Sequence, residues 1–198
     1  MRLFSLVWLL IGLAGGPALA DTYSCRTVIE HTETDTSNPW QTVNDGVMGG
    51  RSSGGSNLQS GTLVFAGVTN TNGGGFSSIR MRVPRGTLTG ADHLKVHMKR
   101  DARDYAMTLR TNVRSFGRRI AFRGPLSGTP EGNWGDAVLS FESLRASIWG
   151  RGVRGAVFDP GEVVEIGLII YDGRDGPFEM ELKRIEACSL NAQTHDAR

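Results

Sequence analysis

Two histidines, His93 and His97, have the spacing of a metal-binding pair on a helix, where residues four apart share one face. Here they flank alternating apolar residues, which is the pattern of a β-strand: Leu94, Val96 and Met98. Residues four apart on a strand are separated by about 13 Å, too far for one ion to bind both imidazoles easily. We therefore predict no metal ion at these histidines, and no cofactor.

A second group with ligand chemistry is the pair Asp172 and Asp175, in a turn that also contains Gly173, Gly176 and Pro177. Two carboxylates and free backbone carbonyls can bind Ca²⁺. The alternative is a turn in which the aspartate side chains accept hydrogen bonds from the backbone, and the sequence favours it. Whether Ca²⁺ binds there stays open at this stage.

The sequence gives little support for nucleophilic catalysis. Residues 50–54, GRSSG, have the Gly-x-Ser-x-Gly spacing, but they lie in a stretch of turn residues and not between a strand and a helix. The two cysteines are candidates for a disulfide, so a catalytic thiol is not predicted. A catalytic triad is defined in space, so one assembled from distant serine, histidine and aspartate residues is not excluded. A hydrolase is therefore a third hypothesis, and our prediction is a non-enzymatic protein.

Cys25 and Cys188, the two cysteines of the chain, are far apart in sequence. In an oxidising compartment an isolated pair of this kind usually forms a disulfide. We predict a Cys25–Cys188 disulfide, which requires the two ends of the domain to meet on one side.

Charge is distributed unevenly along the chain. Residues 80–123 contain 12 Lys or Arg against 3 Asp or Glu, whereas residues 159–186 contain 8 acids against 3 bases. Arginine, which suits bidentate contacts with anions, supplies 19 of the 22 basic residues. The basic region indicates an anionic partner such as lipid or polysaccharide. The alternative, which the sequence favours, is a sheet that happens to present arginine to solvent.

Several large aromatic side chains are candidates for stacking on sugar rings or gripping a peptide at the rim of a sandwich. Each one taken alone is more often packed in a core or at a sheet edge. The set consists of Trp40, Tyr105, Trp134, Trp149 and Tyr171, beside Tyr23.

Residues 40–52, WQTVNDGVMGGRS, form the most strongly shaped stretch of the chain. The Asn-Asp-Gly run is a turn signal, and the Gly-Gly pair allows close approach of the backbone to another surface. Val47 and Met48 lie between these two features. The stretch is therefore either a turn that tucks its apolar residues against a core edge or a recognition loop.

Alternating apolar and polar residues recur in about eight segments separated by Gly, Asp and Pro clusters, which predicts an all-β sandwich or barrel of antiparallel strands. Residues 141–147 have room for one helical turn. The apolar positions of the eight segments are Leu63/Phe65, Ile79/Met81/Val83, Leu94/Val96/Met98, Met107/Leu109/Thr111/Val113, Ile120/Phe122, Leu139/Phe141, Val164/Ile166/Leu168/Ile170 and Phe178/Met180/Leu182.

The first 20 residues have the pattern of a cleaved signal peptide: Arg2, an apolar run over 3–13, and Ala18-Leu19-Ala20. We therefore expect a periplasmic or secreted protein, with no nucleic-acid partner and at most peripheral contact with a membrane. The expected organisation is a signal peptide (1–20), a polar lead-in without a core face (21–39), one sandwich domain (40–188) and a flexible tail (189–198).

The sequence resembles the complex I intermediate-associated protein 30 family. The resemblance rests first on residues 44–52, NDGVMGGRS, and then on 74–80, GGFSSIR. Further matching positions are Tyr105, residues 109–111, Trp134, and residues 150–152, 166–172 and 176–182.

The resemblance implies a galactose-binding-type jelly roll and a non-enzymatic role in assembling membrane complexes. Mitochondrial members carry organelle presequences, whereas this chain has a secretory pattern, so the client does not transfer with the fold. The leading hypothesis is a binding or assembly module for a protein partner, possibly a membrane-complex subunit. The alternative is a carbohydrate-binding module with a glycan ligand. The candidate binding residues are Trp40, Asn44, Asp45, Val47, Met48, Arg51, Tyr105, Arg110 and Trp134.

Overall fold

A computed structural model of the protein describes residues 23–190, except 116, 129, 130 and 149. The predicted signal peptide lies outside the described residues, as do Trp149 and most of the predicted tail. No helix among the described residues is both long enough and apolar enough to cross a membrane.

The described chain is built from strands joined by short loops and three 3₁₀ helices, Asp45–Met48, Phe141–Ser143 and Pro160–Glu162. The strands are β1 (Tyr23–Glu30), β2 (Gln41–Asn44), β3 (Ser53–Gln59), β4 (Thr62–Thr69), β5 (Ser77–Arg82), β6 (His93–Arg100), β7 (Tyr105–Ser115), β8 (Arg118–Pro125), β9 (Gly135–Ser140), β10 (Arg145–Ile148), β11 (Arg151–Gly152), β12 (Val163–Ile170) and β13 (Gly176–Leu190).

The strands form two antiparallel sheets that pack face to face, which confirms the predicted all-β sandwich. The first sheet has the order β3-β4-β13-β6-β9, and β1 also pairs with β13. The second sheet has the order β11-β10-β8-β7-β12-β5-β2. Each sheet contributes one face to the core and presents the other to solvent.

The core follows from the alternation of side chains along each strand. On β6, Leu94, Val96 and Met98 are fully buried, while His93 and His97 point outward from the first sheet. Each of the eight segments predicted from alternation corresponds to a strand, with Val83 and Phe141 just beyond the ends of β5 and β9. The helical turn expected within residues 141–147 is the 3₁₀ helix Phe141–Ser143.

Five strands, β1, β2, β3, β10 and β11, lack a clear alternation of apolar residues and were not predicted. The most consequential is β1, because it lies within the segment predicted to be a lead-in without a core face. It pairs with β13, and its Ile29 is only 5% exposed, so this part of the chain belongs to the sandwich. Pairing with a long central strand compensates here for a polar sequence.

The predicted disulfide is confirmed. Cys25 and Cys188 lie directly opposite each other on β1 and β13, with their Cα atoms 4.1 Å apart. The bond therefore joins neighbouring strands that are 163 residues apart in sequence.

Candidate functional site

A cleft of about 700 Å³ lies on the solvent face of the second sheet. Its floor includes a row of paired residues that crosses β5, β12, β7 and β8: Arg80, Gly167, Thr108 and Arg123. The row has small residues in the middle and arginines at its ends, which are about 14 Å apart at the normal spacing of strands. The side chains therefore shape a trough.

Six arginines and one acidic residue, Glu165, are among the described residues that line this trough. We call it the arginine cleft, after Arg80, Arg110, Arg114, Arg118, Arg119 and Arg123. Glu165 lies 3.0 Å from Nε of Arg110 and 3.7 Å from Nη1 of Arg80, so it pairs with two of them. Arginines therefore outnumber acids by six to one among the described residues that line the cleft.

The charge of the cleft is only partly compensated within the described chain. Burial lowers the pKa of Arg110, Glu165 opposes that change, and the positive charges of Arg80, Arg123 and Arg119 lower the pKa further. The Nε atoms of those same three neighbours are buried and lack hydrogen-bond partners among the described residues. Buried donors without acceptors carry a free-energy cost.

Asp45 anchors a loop at one end of the arginine cleft. The loop consists of residues 45–52, between β2 and β3, and we call it the anchored loop. Asp45 is fully buried, and its carboxylate accepts hydrogen bonds from the backbone of Ser52 (2.8 Å), Gly75 (2.6 Å) and Phe76 (3.3 Å), and from the Ser52 hydroxyl. Burial by itself raises the pKa of Asp45, but these hydrogen bonds outweigh it, so the pKa lies below its ordinary value.

Two glycines make room for that carboxylate. A Cβ on Gly50 or on Gly74 would come within 2.3 Å of an atom of the Asp45 carboxylate. The Gly-Gly signal in the sequence thus marks the close approach that was predicted, and the surface being approached is the side chain of Asp45.

The tip of the anchored loop exposes two apolar side chains on the rim of the arginine cleft. Val47 is 75% exposed and Met48 is 64% exposed, and both line the cleft. The 3₁₀ helix Asp45–Met48, together with the hydrogen bonds to Asp45, holds these side chains outward. The apolar residues are therefore not tucked into a core edge, which was one of the two alternatives for this stretch.

Other candidate binding residues near the loop lie inside the molecule. Trp40 is buried and donates from its indole nitrogen to Nε2 of His31 at 3.2 Å. Tyr105 is buried and donates to Asp101 at 3.1 Å, and burial raises the pKa of its hydroxyl. The structure gives both aromatic residues internal partners.

Asn44 and Arg51 differ in their surroundings. Asn44 is half-buried and bridges Ser77 and Gly54 by hydrogen bonds of 2.6 and 3.1 Å. Arg51 is exposed and is not among the residues that line the arginine cleft. Of the nine candidate binding residues, the structure brings Val47, Met48 and Arg110 together there.

Trp134 lies on the other side of the sandwich. It stacks on His97 with ring centroids 5.5 Å apart, and Nζ of Lys183 lies 4.7 Å from the centroid of its ring. His97 and Lys183 belong to strands of the first sheet. The aromatic residues singled out in the sequence therefore do not form one surface.

The turn between β12 and β13 uses its aspartates internally. Both carboxylate oxygens of Asp172 accept hydrogen bonds of 2.7 Å from the largely buried Arg103, and these bonds lower the pKa of Asp172. Asp175 accepts from the backbone of Thr71 at 2.7 Å. This is the hydrogen-bonded turn that the sequence favoured over a calcium site.

Of the side chains that line the arginine cleft, Arg110 was predicted from the sequence as a binding residue and Glu165 was not. The basic composition of residues 80–123 did flag the region, since the cleft arginines lie on neighbouring strands within it. The acid could not be assigned in the same way, because it comes from β12, a strand far along the chain.

Solved structures with a similar fold are carbohydrate-binding modules. A family 11 module from Clostridium thermocellum, in complex with a β-1,3-1,4-mixed-linked tetrasaccharide, has a TM-score of 0.62 at 12% identity, covering 86% of this chain and 98% of its own. The family 11 module of a cellulosomal cellulase of that organism has a TM-score of 0.60 at 12% identity, with coverages of 90% and 99%. A family 30 module gives 0.52 at 14% identity, with coverages of 84% and 99%. At these identities the likeness shows the fold alone.

Comparison with curated proteins gave no match. The sequence profile of the family described as complex I intermediate-associated protein 30 matches residues 29–182 of the 198-residue chain. The matched range contains the anchored loop with Asp45, the arginine cleft, the whole second sheet and most of the first. The chain therefore belongs to the complex I intermediate-associated protein 30 family.

Proposed function

We propose that this protein is an exported, non-enzymatic binding module that engages a protein partner during assembly of a membrane complex. The observation that carries the proposal is the pair of exposed apolar side chains, Val47 and Met48, held on the rim of a cleft of about 700 Å³. Apolar side chains presented beside a concave surface are typical of sites that bind another molecule.

The way in which the loop is held favours recognition. The hydrogen bonds to buried Asp45 fix the loop before any partner arrives, so less conformational freedom is lost when the partner binds. Among the described residues, the titratable side chains that line the arginine cleft are its arginines, Glu165 and Tyr171, a set suited to holding charged groups.

The partner class follows from family and compartment. The family is named for association with complex I intermediates, which supports a membrane-complex subunit as the partner. The signal-peptide pattern and the disulfide support action in an oxidising exported compartment, where the loops of membrane subunits on that side are accessible.

The test is capture of partners from solubilised membranes of the organism that produces the protein. Met48→Asp places a charge at the tip of the loop, and we expect it to remove the membrane-complex subunits that the wild type captures, as measured by quantitative mass spectrometry. Val157→Asp is the matched control, because Val157 is 85% exposed and is not among the residues lining the arginine cleft. Identical partner sets for all three proteins would refute the role of the loop.

A glycan ligand is the second candidate, favoured by the position of the cleft on a sheet face in a fold shared with carbohydrate-binding modules. If this candidate is right, affinity electrophoresis in gels containing mixed-linked β-glucan will retard the wild type. Migration equal to that in a glycan-free gel would exclude this class of glycan.

A further inference from the structure

We propose that the arginine cleft binds an extended segment of the partner that carries carboxylates and aliphatic side chains, that is, an acidic peptide. The inference rests on the proposed function, since it names the chemistry of the partner. It is carried by the charge of the cleft, by the spacing of its arginines and by the apolar rim.

Charge is the first argument. Two cleft arginines, Arg114 and Arg119, are paired directly opposite each other on β7 and β8. Like charges in opposite positions of a sheet destabilise the pairing. A carboxylate bound between them would remove that repulsion.

Spacing is the second argument. Arg119 and Arg123 are four residues apart on β8 and both line the cleft, so they lie on one face about 13 Å apart. Carboxylates four residues apart on an extended peptide have that same separation. Each planar guanidinium group can accept a carboxylate in a bidentate arrangement.

The aliphatic side chains on the rim of the cleft favour a peptide ligand over an acidic sugar chain. Val47 and Met48 are aliphatic, exposed and next to the arginines, so they match a ligand with aliphatic side chains between its acids. A sugar ring is better bound by an open aromatic face. The ring of Tyr171, which lines the cleft, has the guanidinium group of Arg123 over it at 4.4 Å.

The experiment measures binding of a short fluorescein-labelled peptide with glutamate at every fourth position and leucine and serine between. The comparison peptide has glutamine in place of glutamate. We expect the acidic peptide to bind at least about fivefold more tightly, and its affinity to fall as salt rises, because exposed ion pairs each contribute a modest, screened free energy.

Variants of the protein assign the effect to the cleft. Arg119→Gln/Arg123→Gln should abolish the preference for the acidic peptide. Lys183→Gln/Arg184→Gln removes the same charge from the first sheet and should leave the preference intact. Circular dichroism and melting temperatures establish that both double variants are folded.

Three results would overturn the inference: equal affinity for the two peptides, equal effects of the two double variants, or displacement of the acidic peptide by trigalacturonate at lower concentration than by unlabelled peptide. If Met48→Asp prevents capture of membrane subunits while Arg119→Gln/Arg123→Gln does not, the proposed function stands and the acidic-peptide inference fails. If neither variant alters capture and the peptides bind alike, both fail.

Discussion

At the scale of single residues, two acids of this chain, Glu165 and Asp45, have different roles. Glu165 is only 8% exposed and lies in the lining of the arginine cleft, where it compensates part of the charge. Asp45 is fully buried and serves the backbone, because its oxygens accept donors from two separate loops. The exposed apolar rim at Val47 and Met48 therefore depends on a carboxylate that is itself fully buried.

Replacing Asp45 with asparagine should lower the free energy of unfolding at neutral pH by roughly 2–3 kcal/mol, because an amide presents donors to donors in a buried site. The pKa of Asp45 is lowered in the fold, so its contribution is present above the unfolded pKa near 4 and is lost as pH falls through the folded value. Urea unfolding at several pH values should show the difference between wild type and variant shrinking below about pH 4. A difference independent of pH would contradict this account.

At the scale of elements, the anchored loop is a close fit between glycine and carboxylate. Gly50 and Gly74 approach Asp45 so tightly that neither can carry a Cβ, whereas Gly46 in the same loop has open space around its Cβ position. The three residues are all glycines, but only Gly50 and Gly74 occupy positions where a side chain would collide with Asp45.

Gly50→Ala should therefore lower the free energy of unfolding by about 2 kcal/mol or more, because the methyl group displaces the Asp45 carboxylate from its donors. Gly46→Ala, the matched control, should change it by less than about 0.5 kcal/mol. Thermal and urea unfolding of both variants provide the measurement. Equal losses in the two variants would show that the loop tolerates no alanine for reasons other than this contact.

The sequence predicted the elements that carry their own apolar alternation, such as β6 and β12, and it predicted the turn chemistry of the anchored loop. It did not predict β1 or β3, whose polar and glycine-rich sequences become strands by pairing with β13 and β4. It also did not separate buried Trp40 and Tyr105 from exposed Met48, because burial depends on contacts between residues far apart along the chain. The arginine cleft was visible only as composition.

At the scale of the whole molecule, the sandwich is closed by a contact between distant parts of the chain. The Cys25–Cys188 bond joins β1 to β13 across 163 residues. Linking residues so far apart restricts the unfolded chain and stabilises the fold by roughly 4–5 kcal/mol in the chain-entropy model.

Reduction of this bond, or Cys25→Ser/Cys188→Ser, should lower the melting temperature by on the order of 10 °C. Differential scanning calorimetry with and without reductant gives the measurement, and the double serine variant should be insensitive to reductant. An unchanged melting temperature after complete reduction would contradict this prediction. It would show that the disulfide does not stabilise the fold by restricting the unfolded chain.

The 15-residue strand β13 is the last described strand along the chain, yet it lies at the centre of the first sheet and pairs with β1, β4 and β6. During synthesis its earlier neighbours leave the ribosome without the strand that joins them. Contacts of this long range form late and slowly. The first sheet can therefore be completed only after β13 has left the ribosome, which suits the export that we propose for this protein, because a narrow export channel admits an unfolded chain.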